Sequence, residues 1–363
     1  MATNNYGAFP TRNFQTGMFE DYSNIDGRAL TKRFLKKAKA CFNCPMACGR
    51  GTVLETEKYT GSGEGPEYET IYAMGSNCGI NDLAAITKAN YLCNELGLDT
   101  ISMGATLACA MELFELGILT REDTGGYNLN FGNADALVDL TEKTAYRKDF
   151  GDVLALGSRA LADRHGRPEL AMVSKGQEFA GYDPRAEQGM GLAYATSPIG
   201  ASHMRGDPAY IELLGVPKQI DPLTWADKPP IVKAFQDVFC LIDASGLCVF
   251  YTIRNLCDKD EFIPPTGILN LVNFATGANY TMEEFLQVGE RIFNAERVFL
   301  NRAGFDRNHD TLPPRMTQEP MPEGPAKGMV CHLEDMIDTY YEIRGWDKEG
   351  RPTPEKLEAL GLI

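Results

Sequence analysis

DLAAITKANYLCNELGLDTISMGATLACAMELFELG, residues 82–117, reads as two long helices joined by a tight turn. Apolar residues recur at helical spacing up to Leu96, and Gly97 stands where a C-cap belongs. Asp99 or Thr100 then caps a second, more apolar helix that runs through Leu116 and is closed by Gly117. Working outward, helical patterns are expected over 28–40, 133–145, 152–164, 229–241 and 332–342. The clearest lies at 282–302, where Thr281 and Glu284 form a T-x-x-E capping box. Strand signals are short, at 171–174 and 249–253, and residues 1–27 read as irregular. Two glycine-rich stretches, TGSGEGPEYET (60–70) and DPRAEQGMGLAYATSPIGASHMRG (183–206), read as loops. Gly166, Gly176, Gly181 and Pro184 mark a boundary. The expected fold class is mainly α: two multihelical domains, 1–170 and 171–363.

The 363 residues are ample for two cores, and 44% hydrophobic with 23% charged residues is ordinary for a globular protein. No apolar run approaches the ~18 residues a membrane helix needs, and the N-terminus shows no secretory pattern. A net charge of −15 argues against broad contact with nucleic acid or anionic lipid. Ten cysteines without an export signal suit a reducing, cytoplasmic compartment, where clustered thiols more often bind metal than form disulfides.

Three of those thiols crowd into ACFNCPMACGR (40–50): Cys41, Cys44 and Cys48, spaced C-x2-C-x3-C, with Cys248 far downstream in DASGLCVF. Three thiolates from one loop and one from a distant segment is a common way to hold a [4Fe–4S] cube. A zinc site or buried apolar cysteines are the competing readings. Cys78, Cys93, Cys109, Cys240, Cys257 and Cys331 are core candidates.

NELGLDT (94–100) and DASGLCV (243–249) echo each other, each pairing an acceptor side chain with a glycine. There a backbone can approach a flat polar ligand, although a helix cap accounts for such a pair as well. The 183–206 stretch, dense in small residues and ending in His203 and Arg205, suits contact with a cofactor or phosphate, with Arg as a bidentate partner. Glu64, Glu67 and Glu69 read on spacing alone as a solvated acidic turn.

Taken together, PTRNFQTG, CFNCPMACG, GPEYETIYAMGSNCGI, LCNELGLDTIS, GMGLAYATSPIGASHMRG, DASGLCVF and RAGFDRNHDTLPPR resemble the aldehyde ferredoxin oxidoreductase family of tungsten enzymes. The resemblance implies a tungsten (or molybdenum) bis-pterin site beside a [4Fe–4S] cluster, with Mg2+ as a candidate bridge between the pterin phosphates. It implies oxidation of aldehydes to carboxylic acids, with electrons passed to ferredoxin or an iron–sulfur electron-transfer subunit. Cys41, Cys44, Cys48 and Cys248 take the cluster-ligand positions. The family's D-x-x-G-L-[C/D] pterin pattern falls on Asp243, Gly246 and Leu247, ending at Cys248. Its first copy falls on Asn94, Gly97, Leu98 and Asp99, with Asn where the pattern has Asp; Asn still offers both a donor and an acceptor to a ring edge. Asp183 and Arg185 join the cofactor-binding set.

Glu67 and His203 take the catalytic positions, the first as base or water-orienting group and the second as donor to a developing oxyanion. Glu69 stands within a turn of Glu67 and shares its claim, and Cys78 either approaches the metal or packs. A homo-oligomer is admitted; nucleic acid and membrane are not. Family members also carry a β-rich N-terminal domain that forms the base for the bis-pterin. This chain matches the part that follows, so the polypeptide alone is expected to hold the tungsten cofactor poorly. Two other readings stand beside this one: the tungsten subunit of an ATP-independent benzoyl-CoA reductase, and a non-catalytic iron–sulfur or zinc module that needs a partner.

Overall fold

The computed structural model describes residues 2–216, 218–253 and 266–363; Cys257 lies outside them. The chain divides into two compact units, Met1–Asp183 with Pro313–Met329 and Pro184–Leu312 with Val330–Ile363. Helices dominate both, as the sequence implies.

In the first unit the quoted stretch forms the helices Leu83–Leu96 and Thr100–Glu115. Asp82 caps the first by accepting from the N–H groups of Ala84 (2.9 Å) and Ala85 (3.3 Å), and Asp99 caps the second through Ser102 N (2.7 Å). Leu83–Leu96 packs on Ala134–Ala145, and Thr100–Glu115 packs on Tyr68–Met74 and Gly157–Arg164. At Gly104 the backbones come so close that a Cβ would stand 2.4 Å from the carbonyl carbon of Ala73. Glu112, buried on the second helix, accepts from Arg315 at 2.7 and 2.9 Å and from Asn13 Nδ2 at 2.6 Å. Arg315 also donates to the Asn13 carbonyl (2.6 Å), which binds the 313–329 segment into this unit.

In the second unit Lys228–Ala244 is the central helix, against Met282–Arg302, Gln188–Thr196 and Leu333–Arg344. Phe235, Val238, Phe239 and Ile242 from it meet Phe285 and Ile268 in the core. The Thr281–Glu284 capping box forms as expected. Gly289 lets Met282–Arg302 approach the central helix, since a Cβ there would lie 2.2 Å from Asp237 O.

Several elements depart from their sequence reading. The 28–40 pattern is helical only over Gly27–Arg33; Leu35–Lys39 is strand β1, antiparallel to β2 (Gly49–Glu55). β3 (Thr60–Glu64) completes a sheet of order β1-β2-β3, so half of the expected 60–70 loop is strand and Tyr68–Met74 opens as helix. The Gly61 and Gly63 positions lie under the Tyr91 ring, where Cβ atoms would stand 3.0 and 3.2 Å from it. Packing, not loop chemistry, selects those glycines. Residues 152–164 split into Phe150–Leu154 and Gly157–Arg164, with Gly157 at φ 85°. Val249–Ile253 is helical rather than strand, because it follows directly from a left-handed turn at Gly246. Residues 188–196, read as loop, form a buried helix whose N-terminus is capped by Glu212, which accepts from Gly189 N (2.9 Å). The 171–174 strand shortens to β4 (Val173–Ser174), pairing with β5 (Gln177–Glu178). Ala2–Tyr6 and Tyr22–Ile25 are short helices within the irregular N-terminus.

Candidate functional site

The three clustered thiols occupy the tip of the β1–β2 hairpin. Cys44 N donates to Cys41 O (3.1 Å), and Asn43 (φ 56°) and Ala47 (φ 48°) take left-handed conformations that fold the loop tightly. Cys41 and Cys48 are exposed, Cys44 is half-buried, and none is in a disulfide. Among the described residues no three His, Cys, Asp or Glu side chains converge as a ready-made ligand set. The donor chemistry fits a thiolate-ligated cluster: three accessible, unpaired thiols on eight residues of one loop. By contrast Cys78, Cys93 and Cys109 are fully buried, and Cys240 and Cys331 nearly so. Cys78 Sγ donates to the carbonyls of Ala73 (3.3 Å) and Gly104 (3.4 Å), and burial pushes its thiol far up. It is a packed core thiol in this fold, as Cys93 and Cys109 are.

The two echoing sequences are one structural device built twice. Leu83–Leu96 ends at Gly97 (φ 75°) and Lys228–Ala244 runs out to Gly246 (φ 68°). In each, the leucine after the glycine donates back five residues: Leu98 to Cys93 O (3.0 Å) and Leu247 to Ile242 O (3.2 Å). This is the bond that closes a helix through a left-handed residue, so the cap reading holds for both. The next residue then opens another helix: Asp99 before Thr100–Glu115, Cys248 before Val249–Ile253. Both glycines also face open space, with no atom within 4 Å of a would-be Cβ. Asn94 and Asp243 are exposed on the last turn before each glycine. A flat polar ligand could reach a donor or acceptor and bare backbone at either turn.

Each unit gathers other candidates around its own turn. In the first, Arg50, two residues past Cys48, pairs with Glu67, the residue before the Tyr68–Met74 helix. Glu69, on the first turn of that helix, points inward and accepts from Gly181 N (2.8 Å). Burial, aided by the nearby Asp99 charge, pushes the Glu69 carboxyl up to about 8, against the pull of the Gly181 N–H. Thr70 and Thr100 share a hydroxyl–hydroxyl bond of 2.9 Å, which ties this helix to the first turn. In the second unit, Arg205 spans Asp243 and Glu296 at 3.1 Å each, which ties the His203 segment to the second turn. Arg205 is thus occupied by carboxylates of its own chain. Burial lowers the His203 pKa, with Asp207 opposing, so the imidazole is biased toward its neutral form. Asp183 and Arg185 are fully or almost fully buried, at 0% and 1% exposure, and neither is free of a partner. The sequence reading did not single out Arg50, although its place immediately after the thiol loop was the available signal.

A family model described as aldehyde ferredoxin oxidoreductase, domains 2 and 3, matches residues 1–362. A tungsten-containing aldehyde ferredoxin oxidoreductase of Thermococcus kodakarensis is 46% identical over 99% of this chain and 58% of its own length. One from Pyrococcus furiosus is 45% identical with the same coverage. The WOR-like subunit of an aliphatic sulfonate oxidoreductase, also from Pyrococcus furiosus, is 31% identical over 97% of this chain and 55% of its length. Among solved structures, the active-site complex BamBC of benzoyl coenzyme A reductase, bound to 1,5-dienoyl-CoA, matches with a TM-score of 0.73. At 21% identity, over 99% of this chain and 58% of that one, it is a likeness of fold. The chain spans just over half the length of the relatives it matches.

Proposed function

The chain belongs to the aldehyde ferredoxin oxidoreductase family, corresponding to its domains 2 and 3, and on that premise we propose that it forms part of a tungsten enzyme oxidising aldehydes to carboxylic acids. Water supplies the second oxygen, and two electrons leave for a ferredoxin-type carrier. The observation that carries this reading is the duplicated turn, an open left-handed glycine beside an exposed Asn94 or Asp243.

Asn94 and Asp243 would hold pterin ring edges, Gly97 and Gly246 would leave room for them, and Cys41, Cys44, Cys48 and Cys248 would ligate the cluster. When bound, the metal centre supplies a two-electron acceptor and the cluster a one-electron relay. The protein's own contribution is proton handling. Glu69, protonated at neutral pH by its environment, holds a proton where the first turn begins, while Glu67 is held by Arg50 and orients water. His203, biased toward neutral, donates its ring N–H to oxygen charge developing on the carbonyl.

Purification without oxygen of the tungsten-supplied holoenzyme, followed by metal analysis and aldehyde-dependent viologen reduction, tests the reading. Tungsten and iron with turnover are expected, and Glu69→Gln should lower kcat by about a hundredfold or more. Zinc in place of iron and tungsten, with no turnover, overturns it. The reductase reading asked for metal ligation by Cys78; that thiol is packed and bonded to two carbonyls, which favours the oxidase.

A further inference from the structure

The thiol loop sits in the most basic stretch of an acidic protein. Seven of the chain's 35 Lys and Arg fall within residues 28–50, which hold no Asp or Glu, although the chain carries 50 acids and a net charge of −15. The structure spreads them over one helix and one hairpin of the first unit. Arg28, Lys32 and Arg33 are exposed on Gly27–Arg33, and Lys36, Lys37 and Lys39 are exposed along β1. Lys39 pairs with Glu64 (3.3 Å) and Arg50 with Glu67. Arg28, Lys32, Arg33, Lys36 and Lys37 form no ion pair with any described residue. At the tip of the hairpin Phe42 is 101% exposed and Met46 38%.

Lysines on an edge strand often serve only to block strand addition. That purpose needs charge of either sign and does not extend to a neighbouring helix. Here the sign is uniform, runs against the composition of the whole chain, and leads along one helix and one strand to an apolar tip. An apolar anchor within a charged rim is the make-up of a transient docking surface: the anchor carries affinity and the rim governs encounter rate and salt dependence.

We propose that Phe42 and Met46, at the tip of the hairpin whose first strand carries Lys36 and Lys37 and which follows the helix carrying Arg28, Lys32 and Arg33, dock an acidic iron–sulfur carrier protein that takes electrons at the thiol loop. This rests on the reading of that loop as the cluster site. A local positive stretch eases a specific problem: the chain carries a net charge of −15, which opposes a carrier of net negative charge. With a Debye length of about 8 Å at physiological salt, the steering is strongest from charges close to the contact and fades as salt rises.

The test uses the holoenzyme, a purified acidic ferredoxin and benzyl viologen, at low and high ionic strength. In the triple variant Lys32→Glu, Lys36→Glu, Lys37→Glu, the KM for ferredoxin should rise about tenfold or more at low salt and converge with wild type at high salt. Viologen-linked turnover should stay unchanged, and the corresponding Gln variant should fall between. Phe42→Ala should raise the ferredoxin KM without altering its salt dependence. Lys148→Glu, an equally exposed cation on the same unit, should behave as wild type. An unchanged ferredoxin KM in the triple variant overturns the proposal, as does an equal effect from Lys148→Glu. So does salt-dependent capture of a single-stranded oligonucleotide with none of ferredoxin. If no aldehyde is turned over with any acceptor while patch-dependent ferredoxin binding persists in a direct binding assay, the proposed reaction fails and the docking surface stands.

Discussion

Two carboxylates two positions apart in sequence, Glu67 and Glu69, end in different chemistry. Glu67 faces solvent and Arg50, while Glu69 turns under Gly181, a residue more than a hundred positions away in sequence. Local spacing had no means of separating them, because burial is conferred by a partner from elsewhere in the chain. The thiols and the glycines, whose identities alone are informative, were legible. Glu69 carries a consequence for stability. Its carboxyl is raised in the fold from 4.5 to about 8, so its stabilising contribution is complete below about pH 4.5 and is lost as pH rises through about 8. Glu69→Gln should therefore gain on wild type between pH 5 and pH 9, by roughly 4 kcal/mol. Urea midpoints at the two pH values check this, and equal differences at both would refute it.

At the scale of elements, helices with local caps were readable: Asp82, Asp99 and the Thr281–Glu284 box each fix a boundary within a few residues. β1 and β3 were not. A Lys-rich segment and a Gly-rich one become strands only because β2 lies between them and Tyr91 covers the glycines. The two αL turns separate a capping role from a binding role by experiment. Asn tolerates left-handed conformation but fills space. Gly97→Asn and Gly246→Asn should thus keep melting temperatures within a few degrees of wild type while the purified holoenzyme carries much less tungsten. Undiminished tungsten content would return both glycines to capping alone.

For the whole molecule, the decisive contact is the one that makes the first unit discontinuous in sequence. Removing the Arg315 guanidinium strands Glu112 and the Asn13 carbonyl. Arg315→Met should cost about 3–5 kcal/mol, with Arg315→Met/Glu112→Leu recovering most of it; denaturant midpoints give both values. An undiminished midpoint in the single variant would show that the clamp adds nothing. The charge map adds a second molecular property, a positive island in an acidic chain, which composition alone concealed behind a single net figure. The clamp also sets an order of events at the ribosome. The thiol loop emerges well before Arg315, so the unit that carries it lacks its clamp until that later residue clears the exit tunnel. Translation thus leaves a long interval in which the hairpin thiols hang from a scaffold that is not yet clamped.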